Sequence, residues 1–185
     1  MTPDMSKHLN RSVFLDRDGI LNRDSPQYIK SWGEFEWLPG ALDSVVKLSS
    51  LDVKIIVITN QGAIGRGLTT RQAVDQLHEN LVADVESYGG RIDAVYICPH
   101  RPSDVCDCRK PAPGLLLRAA REHGIDLQGS VMIGDHATDM EAAAAAGCGG
   151  VLVGRNDREL VSGIVRCDSL AEAVTLLFNR FSGEE

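Results

Sequence analysis

Along the chain, short apolar runs rich in β-branched residues alternate with longer stretches in which apolar positions recur every three or four residues. A strand buries its strip of backbone in a few residues and a helix needs several turns, so this alternation predicts βαβ units and a parallel sheet. Strands are expected at 12–15, 53–58, 94–97, 131–133 and 151–153, and helices at about 41–51, 70–88, 114–123, 138–146 and 170–181. Thr69 or Thr70 can cap the second helix through its hydroxyl, and Gly147 stands where a left-handed C-cap would close the alanine-rich fourth. Two connections, 17–39 and 98–113, are longer than usual for such units, and long loops in compact domains are disproportionately functional.

The expected fold is therefore α/β, a Rossmann-like three-layer sandwich with a central, mainly parallel sheet. No segment between the motifs described below is long enough for a large cap domain. At 185 residues the chain fits one domain spanning 1–185, within the usual range of roughly 100–200 residues. Its 43% hydrophobic and 24% charged residues exclude a disordered or fibrous chain.

Charge narrows the function. Lys and Arg number 19 against 26 Asp and Glu, with no basic run that could track a nucleic-acid backbone, so a nucleic-acid partner is not expected. The apolar runs are too short to cross a bilayer, and no membrane partner is expected. The first residues, MTPDMSKHLNRS, lack the apolar core of a secretory signal. A cytoplasmic monomer with reduced thiols is the expectation. With a net charge of −7, any phosphate site must gather its own local positive groups.

Candidate chemistry sits at the strand ends. In Phe14-Leu15-Asp16-Arg17-Asp18-Gly19, two carboxylates two residues apart follow an apolar strand, where ligands bind in open α/β sheets. They point the same way if the chain stays extended, although an Asp-rich turn closed by Gly19 accounts for the fragment equally well. The second strand ends in Thr59-Asn60-Gln61-Gly62, with Arg66 close behind, and a hydroxyl, backbone N–H groups and a guanidinium suit phosphate oxygens. The fourth ends in Gly134-Asp135-His136-Ala137-Thr138-Asp139, whose Asp135 adds a third carboxylate that could help to hold Mg²⁺. Asp139, one helical turn on, could cap the following helix or touch metal. Arg109 and Lys110, before Pro111, supply fixed positive charge.

A different metal is suggested by Cys98, His100, Cys106 and Cys108. Ligands two apart in extended chain face one side, so two such pairs can close a tetrahedron around Zn²⁺. With four protein ligands the ion would be structural and would pin the loop carrying Arg109 and Lys110. Cys148 and Cys167 read as ordinary buried residues, and His8, His78 and His123 show no partner.

The set DxDG at Asp16–Gly19, TNQ at Thr59–Gln61, Lys110 and GDxxxD at Gly134–Asp139 resembles, in order and spacing, the four motifs of the haloacid-dehalogenase-like (HAD) phosphatase superfamily. The resemblance implies a two-step phosphomonoesterase. Asp16 would be the nucleophile and form an aspartyl-phosphate, and Asp18 would protonate the leaving alkoxide and then deprotonate water. Mg²⁺ would be held by the carboxylates of Asp16 and Asp135 and the backbone carbonyl of Asp18. It would share the phosphoryl charge with Lys110 and Thr59.

The CPH…CDCRKP stretch further resembles the branch that contains heptose bisphosphate phosphatases and histidinol-phosphate phosphatases, both of which carry this zinc loop. The run 59–69 is closer to the heptose branch, which implies a small sugar phosphate as substrate and Arg66 as partner for a second phosphate. By this resemblance the substrate contacts are Asp24, Tyr28, Thr59, Asn60, Gln61, Gly62, Arg66, Arg109, Lys110 and His136. The segment 24–28 reads DSPQY where that branch more often has Gly before Tyr. A histidinol-phosphate substrate would instead call for acidic groups against its ammonium, such as Glu34 and Glu36. A noncatalytic module that binds a phosphorylated ligand is the alternative of another class.

Overall fold

The computed structural model describes residues 10–154 and 163–182. Six strands, β1 (Ser12–Leu15), β2 (Lys54–Asn60), β3 (Ala94–Cys98), β4 (Val131–Gly134), β5 (Gly149–Val153) and β6 (Ile164–Cys167), form one sheet in the order β3-β2-β1-β4-β5-β6. Every pairing is parallel. The order of winding reverses between β1 and β4, the switch point at which an open α/β sheet leaves a crevice beyond its strand ends.

The period-two alternation of strand side chains builds the layers. Val13, Leu15, Ile55, Val57, Val131 and Ile133 face one way, into a core shared with α1 (Ala41–Leu48), α3 (Arg71–Ser87) and α6 (Leu170–Ser182). Phe14, Ile56, Ile58 and Met132 face the other, against α4 (Gly114–His123) and α5 (Ala137–Ala146). Strands buried on both faces read as continuous apolar runs, which is why they were legible. Thr70 caps α3 by accepting the Ala73 N–H at 3.1 Å, and Gly147 closes α5 at φ 81°.

Three elements differ from expectation. Strand β6 was not foreseen: it is an edge strand of four residues whose Val165 is half exposed, so it offers no apolar run. Helix α2 (Gly62–Gly65) is a single turn and carries no period. Helix α1 stops at Leu48, because the hydroxyls of Ser49 and Ser50 donate back to the carbonyls of Val45 and Lys47, and Arg91 holds the carbonyls of Ser49, Leu51 and Val53.

The long loop after β1 does not build a cap. Phe35 stacks on Trp32 at 4.8 Å and meets Trp37 edge-on at 5.1 Å, and Trp37 donates its indole N–H to Asp84 of α3 at 2.7 Å. The loop is thereby folded down beside the crevice. No helix among the described residues is long and apolar enough to cross a membrane.

Candidate active site

The hydrogen-bond ladder of β1 runs one residue past the strand, with the Asp16 N–H donating to Ile133 at 2.9 Å. The chain then winds around the Arg17 carbonyl, which accepts from Leu21 at 2.8 Å, and Gly19 turns at φ 81°. A Cβ on Gly19 would lie 2.1 Å from Oδ2 of Asp135, so the missing side chain lets that carboxylate close onto the Asp16–Gly19 turn. Carboxylate and carbonyl oxygens are the donors a small hard divalent cation prefers, and the empty Cβ position of Gly19 is what admits the third carboxylate. Nδ1 of His136 stands 3.0 Å from Oδ1 of Asp135.

Lys110 lies at the centre. Its Nζ is 2.8 Å from Oδ1 of Asp16, 2.6 Å from Oδ1 of Asp139 and 2.9 Å from the Ile58 carbonyl. Asn60 clamps its backbone, accepting the Lys110 N–H at 3.1 Å and donating to the Lys110 carbonyl at 3.2 Å. Asp139 is fully buried and also accepts the His136 N–H at 3.0 Å, so it serves as both helix cap and counter-ion. Burial alone would lower the Lys110 pKa, but Asp16 and Asp139 outweigh it and hold it above the ordinary value. Burial pushes Asp16 up to about 7 against the pull of Lys110, with Asp139 adding repulsion.

Asp18 is held by donors on every side. Arg17, fully buried, reaches its two oxygens through Nη2 at 2.7 and 2.9 Å, Asn22 donates at 2.9 Å, and Gln61 donates to it at 2.9 Å while also reaching Oγ1 of Thr59 at 2.9 Å. Behind Arg17 stands His78, whose Nε2 is 3.1 Å from Nη1. The expectation that His78 has no partner is corrected here. It interrupts the buried stripe Val74, Leu77, Leu81 and Val85 of α3, and a polar residue on an apolar stripe was the available signal. His123 lies edge-on to Tyr96 at 6.2 Å, and His8 lies outside the described residues.

Gly19 and Asp135 line a cavity of about 420 Å³, while Asp16, Asp18 and Lys110 open into another, of about 790 Å³. Asp16, Asp18, Thr59, Asn60 and Lys110 line its buried end, while Asp24, Tyr28, Arg109 and His136 line its mouth. Ser25, Pro26, Asp104 and Thr138 join them without having been foreseen. Gln61 lies beneath Asp18, and Gly62 packs under Arg109 and the His100 carbonyl. Arg66 is exposed at the end of α2 and does not line the cavity; Arg109 is the guanidinium that does. Tyr28 sits at φ 64°, so the turn that usually calls on glycine is made by Tyr itself, braced by Lys30 on the carbonyls of Gln27 and Tyr28 at 3.1 and 3.2 Å. Glu34 is paired with Lys30 at 2.8 Å and Glu36 with Arg23 at 3.2 Å, and neither lines the cavity.

Cys98, His100, Cys106 and Cys108 bring four ligand atoms within 4.8 Å of one another. The contacts along this cluster run from 3.2 Å for Nδ1 of His100 with Sγ of Cys108 to 3.9 Å for Sγ of Cys98 with Sγ of Cys106. A tetrahedron with zinc-to-sulfur arms of ~2.3 Å has edges of about 3.8 Å, so the donor set fits zinc in both chemistry and size. Burial and the neighbouring thiols push Cys108 well above its ordinary value, the situation a bound cation reverses. The cluster is tied to the cavity through Arg109, which donates to the His100 carbonyl at 3.1 Å. Its tight packing against α2 depends on Gly65, where a Cβ would fall 2.7 Å from the Pro99 carbonyl.

Residues 107–174 match the HAD-hydrolase-like family model. Over 141 residues, 76% of this chain and 79% of the relative, it is 40% identical to a D-glycero-beta-D-manno-heptose-1,7-bisphosphate 7-phosphatase of Bordetella bronchiseptica. The chain belongs to the heptose-1,7-bisphosphate 7-phosphatase family of HAD-like hydrolases. A member of the family from Mycobacterium tuberculosis, named for the alpha anomer, is 40% identical over 149 residues, covering 77% of this chain and 78% of that one. Among solved structures, the D,D-heptose 1,7-bisphosphate phosphatase from B. bronchiseptica, complexed with magnesium and phosphate, superposes with a TM-score of 0.87 at 35% identity. The match covers 92% of this chain and 99% of that one.

Proposed function

We propose that this chain removes the 7-phosphate of D-glycero-D-manno-heptose 1,7-bisphosphate through an aspartyl-phosphate on Asp16. The observation that carries this reading is the contact of Asp16 with Lys110 at 2.8 Å in the same cavity as Asp18 and Thr59, with Arg109 at the mouth. Mere binding of a dianion would not place carboxylates against it.

In the first step an Asp16 oxygen attacks phosphorus and the bond to the sugar oxygen breaks, while Lys110 and Thr59 meet the phosphoryl oxygens and Asp18 gives the leaving oxygen its proton. In the second step Asp18 takes a proton from water as the water oxygen attacks phosphorus, freeing Asp16 and phosphate. The carboxylates of Asp16 and Asp135 with the Asp18 carbonyl would hold Mg²⁺, which when bound neutralises phosphoryl charge. The four zinc ligands supply no chemistry and cross-link the loop that carries Arg109 and Lys110. Arg109 is the guanidinium available to the second phosphate of a bisphosphate. The reading takes the chain to act as a monomer of one domain, and a thiol-ligated site suits the reducing cytoplasm.

Initial rates of phosphate release with Mg²⁺ test the reading on both heptose bisphosphate anomers, fructose 1,6-bisphosphate and histidinol phosphate. Preference for a heptose bisphosphate, abolished by Asp16→Asn, is expected. Preference for histidinol phosphate would overturn the substrate, and binding without turnover would overturn the enzyme.

A further inference from the structure

We infer that His78, acting through Arg17, is a positioning residue that seats Asp18. Among the described residues, Arg17 is the cation bonded to Asp18, and it is fully buried. Its Nη2 spans both Asp18 oxygens at 2.7 and 2.9 Å, Nε reaches Oδ1 at 3.2 Å, and Nη1 points the opposite way, to Nε2 of His78 at 3.1 Å. A guanidinium only donates, so Nε2 accepts and the ring proton is on Nδ1. His78 thus takes up the end of the fork that faces away from the carboxylate. Rotating the guanidinium would cost it this acceptor as well as the bidentate pair.

With Asn22 and Gln61, each donating at 2.9 Å, the hydrogen bonds that Asp18 receives among the described residues hold its carboxylate in one orientation. Burial and then the charge of Arg17 push His78 down to about 3, so the ring stays a neutral acceptor across the working range. The nearby α3 residues Asp75 and Arg71 pair with each other at 2.8 Å. No motif in the sequence contains His78. It comes from helix α3, sixty-one positions from Arg17 along the chain.

The inference rests on the reading of Asp18 as the group that deprotonates water, and the two can fail separately. The test uses His78→Phe, which keeps a flat ring but no acceptor, and His78→Gln, whose amide oxygen can replace Nε2. Activity is followed with heptose bisphosphate, and acid-stable phosphoenzyme is measured during turnover of 4-nitrophenyl phosphate, whose leaving group needs no proton. In His78→Phe, kcat on the sugar is expected to fall about tenfold with KM within twofold, and phosphoenzyme to accumulate, because it forms normally and hydrolyses slowly. His78→Gln should recover most of the loss.

A general weakening of the fold would lower kcat without raising phosphoenzyme, and that result overturns the inference, as does unchanged kcat. If Asp18→Asn accumulates phosphoenzyme and His78→Phe does not, only the role of His78 is lost. If Asp18→Asn does not accumulate it either, the reading of Asp18 is lost. Should His78→Phe lack a cooperative unfolding transition, His78→Ala decides by the same two outcomes.

Discussion

Asp139 and Lys110 meet at 2.6 Å where neither side chain is more than 2% exposed. The pair is a fixture of the interior: Asp139 is held by the start of α5, and Lys110 by Asn60 and the Ile58 carbonyl. Between them they set where the ammonium stands relative to Asp16. The cation proposed to face a phosphate is thus in place and buried without any substrate.

Removing the counter-ion should therefore show in stability first. Asp139→Asn is expected to cost about 3 kcal/mol, the low end for a broken buried pair, because Asp16 still faces Lys110. Urea unfolding at pH 7 measures it. A loss below about 1 kcal/mol would mean that the pair does not hold the site together.

Gly19 should tolerate nothing larger. At φ 81°, with its Cβ position 2.1 Å from the Asp135 carboxylate, Gly19→Ala must displace that carboxylate. Turnover is expected to fall by roughly a hundredfold, the scale of a misplacement of about 1 Å in a catalytic constellation. The left-handed backbone adds ~1–2 kcal/mol of strain. Steady-state kinetics alongside thermal unfolding would separate the two, and near-normal turnover in a folded protein would show that Asp135 is not needed where it lies.

Much of this was legible in the chain because the strands are buried on both faces and their polar ends break sharply. Asp16, Thr59 and Asp135 each follow an apolar run directly, so topology alone places them at the carboxyl ends of three neighbouring strands. What was not legible depends on contacts far apart in sequence. His78 looked partnerless because its partner is Arg17, and sequence does not reveal that α2 ends facing solvent, with Arg66 outside the cavity lining. Nor does sequence reveal that Glu34 and Glu36 pair with Lys30 and Arg23 outside the cavity lining.

His78 should also leave a mark on acid stability. Its folded pKa is lowered to about 3 by burial and Arg17, whereas the unfolded residue titrates near its ordinary value of ~6.5. Below that pH the unfolded chain binds a proton that the folded one refuses, so stability falls as pH drops, by up to about 1.4 kcal/mol per pH unit, down to about 3. His78→Gln should flatten the profile between about pH 6.5 and about pH 4 by close to one proton. Parallel profiles for the two proteins would refute the assignment.

The zinc cluster makes a separable prediction. Cys108→Ser is expected to lose the metal, loosen residues 98–113 and lower turnover by about tenfold or more, since Arg109 is tied to the His100 carbonyl. The sheet should remain folded. Zinc content by atomic absorption, limited proteolysis of the loop and kcat would be read together; full zinc occupancy with unchanged turnover would contradict the pinning role.

The cavity takes its base from strand ends and its mouth from three surface segments, around Asp24–Tyr28, Arg109 and His136. Substitutions at the rim can therefore change which ester is admitted while the residues at the ends of β1, β2 and β4 are left as they are. The choice of substrate and the chemistry performed on it are thus carried by separable parts of one chain.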